Sequence, residues 1–365
     1  MDNKIKILKD AHDKLFKHPT NNYIFIYTPP KVGSTTLMTS FRISMGKSYN
    51  ILHIHDEVMM SVLTNIHNVT IMELIQFIAN QNKRVFVIDV YRTPVERKMS
   101  EFFEKIGVLH FNNTYENVAK YSIKKTTDRF NYVFPYLGQG DHYFEKYLID
   151  EPCAFDFEKK YTVQHINNVQ FIKLRLCDSS EWGSILSEIM HTKVVIIVDY
   201  QTIDKQIGDL YNQFKKEYKI PSNFLTLISN CKYFNFYYSA TERHNYLKSW
   251  ESKISSEFTP YTSAEYTFYM KISLENQYYD MIQLNHYIDN GCFCKCCIKK
   301  RKDIYFKALN GTYANEKIIH EESVTEHNVN LSKKTAEIIN VINTINKKHK
   351  KAHNNPTQKM KLLAK

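Results

Sequence analysis

Residues 23–37 read Tyr23-Ile-Phe-Ile-Tyr-Thr-Pro-Pro-Lys-Val-Gly-Ser-Thr-Thr-Leu37, an apolar run followed by a short loop and a hydroxyl-rich stretch. The apolar run is typical of a buried strand, and the hydroxyl-rich stretch predicts a helix that reaches about Met45. Backbone N–H groups at a helix start point outward, and the helix dipole favours negative charge there. Gly33 lets the backbone approach an anion closely, and Lys31 adds a full positive charge. The segment therefore predicts an anion-binding loop at the end of a strand.

The order of residues in this loop differs from that of the nucleoside-triphosphate loop. That loop needs the pattern G-x-x-x-x-G-K-[ST], in which lysine follows the second glycine. Here Lys31 precedes Gly33, and no glycine opens the loop. A P-loop phosphotransferase remains an alternative, but it would also need an acidic residue at a strand end to hold magnesium. The nearest candidate, Asp89, lies within its predicted strand.

A second strand followed by a helix is predicted farther along the chain. The β-branched, apolar run from Arg84 to Tyr91 predicts a buried parallel strand, and Arg92 follows directly. Thr93, Pro94 and Glu96 then match the N-cap, N1 and N3 positions of a helix with a capping box. Arg92 is thus expected at the carboxyl end of a strand, where ligands bind in open α/β sheets.

A pair of histidines ends a short predicted strand between these two segments. The sequence is Asn50-Ile-Leu-His53-Ile-His55-Asp56-Glu57. Because side chains alternate along a strand, His53 and His55 are expected to point the same way. An imidazole with a pKa near neutral can accept the proton of an attacking hydroxyl.

These segments resemble those of sulfotransferases that use 3′-phosphoadenosine 5′-phosphosulfate (PAPS). The order Pro-Lys-x-Gly-Ser-Thr-Thr-Leu resembles their 5′-phosphosulfate loop, and R-x-P-x-x-R-x-x-S resembles the segment that holds the 3′-phosphate. The resemblance implies that the 5′-phosphosulfate contacts Lys31, Val32, Gly33, Ser34, Thr35 and Thr36. It also implies that Arg92 and Ser100 contact the 3′-phosphate and that Lys31 is catalytic. We expect that no metal is needed, because the loop, Lys31 and Arg92 supply positive charge. Arg97 could instead be a surface or ion-paired residue.

Polysaccharide 2-O-sulfotransferases carry a similar H-x-H pair, in which the second histidine is the general base. The resemblance assigns this role to His55 and leaves His53 as a weaker catalytic candidate. Asp56 or Glu57 could orient an imidazole or act as the base, since other branches of the superfamily use a carboxylate. The resemblance covers about residues 20–255, including a late segment similar to capsular polysaccharide sulfotransferases, Tyr233–Trp250. We therefore expect transfer to a hydroxyl, best matched by a carbohydrate, and keep a non-catalytic nucleotide- or glycan-binding protein as an alternative.

The whole chain is expected to be α/β, with a P-loop-like, mainly parallel sheet flanked by helices as in the sulfotransferase fold. Residues 1–255 form the predicted sulfotransferase domain, 256–330 a helical, cysteine-rich appendage, and 331–365 a basic helix with a disordered tail. Within the first domain, strands are predicted at Phe171–Leu176 and Val194–Asp199. Helices are predicted at Trp182–Met190, Lys205–Tyr218 and Ala240–Lys253, and a loop or edge at Phe155–Tyr161.

The net charge of +11 is concentrated in the tail. Residues 331–365 contain nine lysines and one glutamate, a charge of +8, which leaves +3 for the rest of the chain. This distribution argues against a specific nucleic-acid partner. The tail could contact anionic surfaces weakly, and the sequence does not predict an oligomeric state.

Four of the seven cysteines are Cys292, Cys294, Cys296 and Cys297. This cluster does not match a standard zinc pattern, and free thiols, palmitoylation and a disulfide or metal clip all remain open. The other three, Cys153, Cys177 and Cys231, are expected to be reduced and near the core.

No run of 18 apolar residues occurs, and the first residues lack a hydrophobic signal region. The sequence thus predicts a cytoplasmic bacterial or viral enzyme, which would act in the host cytoplasm if viral.

Overall fold

The computed structural model describes residues 2–111, 113–198 and 206–275. Its centre is a five-stranded sheet with the strand order β2-β1-β3-β5-β4. The strands are β1 (Asn22–Tyr27), β2 (Asn50–Ile54), β3 (Arg84–Tyr91), β4 (Tyr161–Ile166) and β5 (Val169–Arg175). Neighbouring strands pair in parallel except for the edge strand β4, which is antiparallel to β5. The predicted mixed α/β fold with a mainly parallel sheet is confirmed.

Helices cover both faces of this sheet and form a lobe beside it. They are α1 (Asp2–Leu15), α2 (Ser34–Met45), α3 (Glu57–Thr64), α4 (Ile71–Ala79), α5 (Pro94–Glu104), α6 (Tyr115–Val118), α7 (Ile123–Val133), α8 (His142–Glu145), α9 (Trp182–Met190), α10 (Gly208–Glu217), α11 (Ser222–Ser229), α12 (Lys232–Tyr237), α13 (Ala240–Glu251) and α14 (Ser263–Glu275). A π-helix spans Ile106–Phe111, and short 3-10 helices span Phe134–Tyr136 and Leu176–Glu181. A second, two-stranded sheet pairs β6 (Ile220–Pro221) with β7 (Ile254–Ser255).

The order of the strands places a topological switch point between β1 and β3. The chain runs from β1 outward to β2 and then returns across β1 to form β3. The connecting helix α2 packs on one face of the sheet, whereas α4 packs on the other face with α1. Such a reversal opens a crevice outside the carboxyl ends of the two strands, which is where open α/β sheets bind ligands.

The helical lobe has an aromatic core of its own. Helices α5, α7 and α10–α13 contribute rings such as Phe102, Phe130, Phe214 and Trp250, all of which are buried. Many of these rings meet edge to face, for example Phe130 and Phe214 at 5.3 Å between centroids. Such pairs add to the stabilisation from burial alone. The buried face of α5 is thus part of the core of the lobe.

The described start of the predicted C-terminal appendage is helical and lies against this lobe. In the segment that leads into α14, the amide of Tyr261 donates to the carbonyl of Tyr132 over 3.0 Å. In α14 itself, Tyr266 stacks on Tyr136 at 4.0 Å between ring centroids, and the Tyr269 hydroxyl lies 2.8 Å from Nδ1 of His110. The cysteine cluster and the basic tail fall outside the described residues.

The predicted strand at Val194–Asp199 is wrong for its described part. Residues 193–198 have no regular secondary structure, and Asp199 lies outside the described residues. The amides of Val195 and Ile197 donate instead to the hydroxyls of Ser44 and Ser40 on α2, over 3.0 and 2.9 Å. The β-branched run is thus an irregular segment, and side chains of α2 bind two of its amides.

Two further expectations from the sequence differ from the structure. Strand β4 was not predicted, because its alternating, partly exposed residues carry a weaker signal than a buried strand. Cys153 and Cys177 are exposed and only Cys231 is partly buried, so the expected core position is wrong for the first two. Among the described helices, none is long and apolar enough to cross a membrane.

Candidate functional site

The loop after β1 has the backbone that close approach of an anion requires. Gly33 is the N-cap of α2 and has φ 94° and ψ 15°, in the left-handed region. A Cβ at this position would lie 2.8 Å from Cδ1 of Leu176 and 3.1 Å from Cη2 of Trp182. Only glycine fits this conformation and this space without strain. It also has no side chain that could cap α2, and N–H groups at a helix start point outward, where an anion can bind.

The side chains around the start of α2 differ in exposure. Val32 and Ser34 are buried, whereas Thr35 and Thr36 are partly exposed. The Thr36 carbonyl accepts a hydrogen bond from the Ser40 hydroxyl over 2.6 Å, within the helix. The partly exposed hydroxyls and the first-turn amides therefore form a polar rim at the mouth of the crevice.

Arg92 reaches this loop from the neighbouring strand. It follows β3 directly, as the sequence predicted, and its Nη1 donates to the Lys31 carbonyl over 3.0 Å. The guanidinium also lies beside the phenol of Tyr211, from the lobe. The structure thus brings two of the predicted cofactor-binding residues together across the switch point.

Lys31 forms an ion pair that the sequence did not predict. The backbone of Lys31 has φ 68°, in the left-handed region. Its Nζ lies 2.8 Å from Oε2 of Glu104, the last residue of α5. The two side chains are 15% and 28% exposed, so the pair is shielded from bulk water. The only hint in the sequence is an acidic residue at a helix C-terminus, where the dipole disfavours negative charge.

The predicted motif on α5 divides into residues with different surroundings. Ser100 is buried one turn before Glu104, so it lies on the adjoining part of the helix surface. Arg97 is also buried, and it donates to the carbonyls of Gly140 and Gln139 over 2.7 and 2.5 Å. Arg97 is therefore neither exposed nor placed at the loop: it holds the segment that leads into α8.

The expected capping box at the start of α5 is wrong. Pro94 occupies N1 as predicted, but within the described residues Thr93 makes no side-chain cap. The hydroxyl of Tyr246, on α13, accepts from the amide of Val95 over 3.3 Å and donates to Glu96 over 2.7 Å. A side chain from the lobe thus replaces the local cap, which no local sequence pattern could reveal.

His55 lies beside the same loop, with one ring nitrogen fixed. Its Nδ1 is 2.6 Å from the carbonyl oxygen of Thr28, so Nδ1 carries the proton and Nε2 is the basic nitrogen. Burial lowers the pKa of His55 to about 4, and the nearby charge of Lys31 acts in the same direction. The imidazole is therefore neutral at pH 7 and able to accept a proton.

The remaining polar residues after β2 surround His55. His53 is buried and its ring centroid lies 4.7 Å from that of His55, so the two point the same way as the alternation predicts. Asp56 caps α3 by accepting from the amide of Met59 over 2.7 Å. Glu57 accepts from the Tyr27 hydroxyl over 3.1 Å. Both carboxylates thus have structural partners, whereas His55 has a basic nitrogen.

A buried charge cluster lies under the carboxyl ends of β3 and β5. Lys173 Nζ is 2.7 Å from Asp89 and 2.5 Å from Asp141, and all three side chains are at most 1% exposed. Burial alone would raise the pKa of Asp89, but the ammonium of Lys173 holds that pKa below its ordinary value. Tyr237 donates to Asp141 over 3.0 Å. The sequence hint is a charged residue in the middle of each of two apolar strands.

Lys173 pairs with Asp89, the acid that would be the nearest candidate for a magnesium ligand. Asp89 accepts from Lys173 and from the amides of Val90 and Tyr143, so its oxygens are already engaged. Within the part of the chain that the structure describes, no group of three or more histidine, cysteine or acidic residues could hold a metal ion.

A surface groove of about 510 Å³ runs along the edge strand β4. It is lined by residues such as Tyr161, His165 and Glu188 and contains none of the predicted site residues. It lies on an edge of the sheet, whereas the loop, Arg92 and His55 all lie at the carboxyl ends of the central strands. We therefore take the switch point, rather than this groove, as the candidate functional site.

Comparison with known proteins finds no matching family model, no similar curated protein and no similar solved structure.

Proposed function

We propose that this protein is a PAPS-dependent sulfotransferase that transfers a sulfuryl group to a hydroxyl. The best-matched acceptor is a carbohydrate hydroxyl. The observation that carries the proposal is the contact of Arg92 with the Lys31 carbonyl. It joins a glycine-capped helix start to a strand-end arginine at the switch point of a parallel sheet. Two neighbouring groups that each suit a phosphate fit a donor that carries phosphate at both its 5′ and 3′ positions.

The loop fits the 5′ end of this donor. A Cβ at position 33 would clash with Leu176 and Trp182, so the loop requires glycine, and the first-turn amides of α2 point out of the helix start. Lys31 would offset the charge that develops on the bridging oxygen as the sulfuryl group departs. Arg92 would bind the 3′-phosphate, with Ser100 as the second candidate contact. The donor supplies an activated sulfuryl group, so these residues need only bind, orient and stabilise charge.

His55 supplies the base that the acceptor hydroxyl requires. The Thr28 carbonyl fixes the proton on Nδ1, so Nε2 can take the proton of the hydroxyl as its oxygen bonds to sulfur. The bond from sulfur to the bridging phosphate oxygen breaks in the same step, and the electron pair leaves on that oxygen. His53 packs against His55 and orients it, which supports a positioning role for His53.

The alternative of a magnesium-dependent phosphotransferase has less support. It needs an acid to hold the metal at the phosphate loop, and Asp89 is instead paired with Lys173 in the sheet interior. A non-catalytic binding protein would keep Lys31 and Arg92 but would have no need of a neutral, oriented His55. The basic Nε2 therefore favours the catalytic proposal over a binding role.

A ligand-binding experiment tests the donor. Without magnesium, adenosine 3′,5′-bisphosphate should raise the melting temperature more than adenosine 5′-phosphate or ATP. At 100 times its dissociation constant it should stabilise the fold by about 2.7 kcal/mol. Equal stabilisation by adenosine 5′-phosphate would show that the 3′-phosphate is not recognised and would remove the proposal.

A transfer assay tests the base. With radiolabelled PAPS and a panel of glycans, His55→Ala should lower the transfer rate by roughly 100-fold to 10,000-fold, the usual contribution of a positioned base. Bisphosphate binding should be unchanged. His67→Ala is the matched control, because His67 is exposed on the surface. Full activity in His55→Ala would reject His55, and no transfer to any glycan by the parent would favour the binding-only alternative.

A further inference from the structure

The ion pair of Lys31 with Glu104 lies at the predicted catalytic lysine itself. The two charged atoms are 2.8 Å apart, and neither side chain is more than 28% exposed. A pair shielded in this way is screened by salt less than a surface pair and is correspondingly stronger. Glu104 is therefore a competitor for the ammonium that an anion at the loop would use.

The same lysine is held at its backbone as well. Arg92, in the turn between β3 and α5, binds the Lys31 carbonyl, while Glu104 at the end of α5 binds the Lys31 ammonium. Lys31 has φ 68°, a left-handed backbone conformation that is unfavourable for residues other than glycine. These two contacts, one before α5 and one at its end, stabilise a conformation of the loop that lysine would otherwise seldom adopt.

We propose that Glu104 is an internal counterion that an incoming anion displaces from Lys31. This proposal rests on the proposed function, in which the anion is the phosphosulfate group of the donor. A carboxylate left beside the anion would repel it, so binding has to exchange one partner of Lys31 for the other. Glu104 is thus a positioning residue: it holds Lys31 in place before the donor arrives.

The exchange also selects among anions. Replacing a carboxylate by a singly charged anion gains little, since one negative charge is exchanged for another. An anion with two or more charges gains more, because it also meets the helix start and the guanidinium of Arg92. The site should consequently prefer diphosphate-like groups, such as a phosphosulfate, to chloride or acetate.

A double-mutant cycle with inorganic pyrophosphate as the probe tests the exchange by calorimetry. Glu104→Gln should bind pyrophosphate roughly tenfold more tightly than the parent, since the anion then need not displace the Glu104 carboxylate from Lys31. In a Lys31→Met background, the same glutamine substitution should change the affinity by less than about twofold. Glu116→Gln, at an exposed pair with Lys120, is the matched control and should have no effect.

The reactivity of Lys31 towards an acetylating reagent gives a second measurement. Because Glu104 stabilises the ammonium, Glu104→Gln should speed acetylation of Lys31, and pyrophosphate should slow it again. Melting temperatures establish that each variant is folded.

Three outcomes would overturn the exchange: no gain in affinity in Glu104→Gln, an equal gain in both backgrounds, or no pyrophosphate binding by any variant. An equal gain would mean that Glu104 only repels the anion through space. If the cycle behaves as expected while adenosine 3′,5′-bisphosphate binds no better than adenosine 5′-phosphate, the exchange stands and the sulfotransferase proposal fails.

Discussion

His142 donates its Nε2 hydrogen to the backbone carbonyl of His55 over 2.7 Å. The carbonyl can only accept, so the proton of His142 lies on Nε2. The His142 ring also meets the ring of Tyr27, the last residue of β1, at 4.7 Å between centroids. The backbone of the candidate base is thus tied to α8, and α8 is held in turn by the buried cluster through Asp141.

This relationship predicts that His142 positions His55 without touching the donor. His142→Ala should lower the transfer rate roughly tenfold, as expected for one lost hydrogen bond of about 1.4 kcal/mol. The affinity for adenosine 3′,5′-bisphosphate should not change. His142→Gln, whose amide N–H can donate to the same carbonyl, should recover part of the rate. Rate measurements on both variants, with binding measured by calorimetry, check the prediction; a proportional loss of binding would contradict it.

The lowered pKa of His55 predicts an unusual pH dependence. An imidazole with a pKa of about 4 is neutral throughout the range from pH 6 to 8, so the transfer rate should be flat there. The rate should fall only below about pH 5, where His55 becomes protonated. The sequence alone would have placed this step near the ordinary histidine pKa. A pH–rate profile distinguishes the two, and a step near pH 6.5 would show that His55 is not the base or is not buried.

The same shift affects stability with a definite sign. The imidazole binds protons more tightly in the unfolded chain, where its pKa is ordinary, than in the folded protein. Protonation therefore favours unfolding as the pH falls from about 6.5 to about 4. The contribution of His55 to stability is lost in that window and is complete above it.

The sequence predicted the parts of the site that depend on local chain order. The Lys31 loop, the strand that ends before Arg92 and the pair of histidines each follow from periodicity and turn residues within a short segment. That they meet at the carboxyl ends of the central strands follows from the general behaviour of parallel sheets. The contact between Arg92 and the Lys31 carbonyl is the consequence.

The contacts that the sequence missed act over long separations. Glu104 pairs with Lys31, His142 supports His55, and Tyr246 caps α5, but each lies far along the chain from its partner. No repeating pattern marks such contacts, because they depend on how the lobe packs beside the sheet. The strand prediction at residues 193–198 was wrong for a related reason. A β-branched run indicates a buried strand, but it does not tell which groups bind its amides.

Lys31 and Arg92 should affect different kinetic quantities. Lys31→Ala should reduce turnover more than donor affinity, since its charge matters most as the bridging oxygen leaves. Arg92→Ala should weaken binding of adenosine 3′,5′-bisphosphate by about 1.5–3 kcal/mol, the range for charge-assisted hydrogen bonds. Calorimetry and initial rates separate the two.

Part of the Arg92 effect should act through the loop, because Arg92 also binds the Lys31 carbonyl. Binding of adenosine 5′-phosphate measures that part, since this ligand has no 3′-phosphate. A variant Arg92→Ala that binds the bisphosphate as well as the parent does would place the 3′-phosphate elsewhere.

Lys173 is expected to be the most sensitive position for stability. Lys173→Met would leave Asp89 and Asp141 facing each other in the sheet interior, without the ammonium that lies 2.7 and 2.5 Å from them. Loss of one partner from a buried charge cluster typically costs about 3–5 kcal/mol. The free energy of unfolding, from urea denaturation, should fall by that amount. Lys120→Met, at an exposed ion pair, is the matched control and should leave the urea midpoint unchanged.

If the carboxyls of Lys173→Met take up protons, the loss should shrink as the pH is lowered, because a neutral acid is cheaper to bury than a charged one. An unfolding free energy equal to that of the parent at pH 7 would show that the cluster contributes nothing to holding β3, β5 and α8 together.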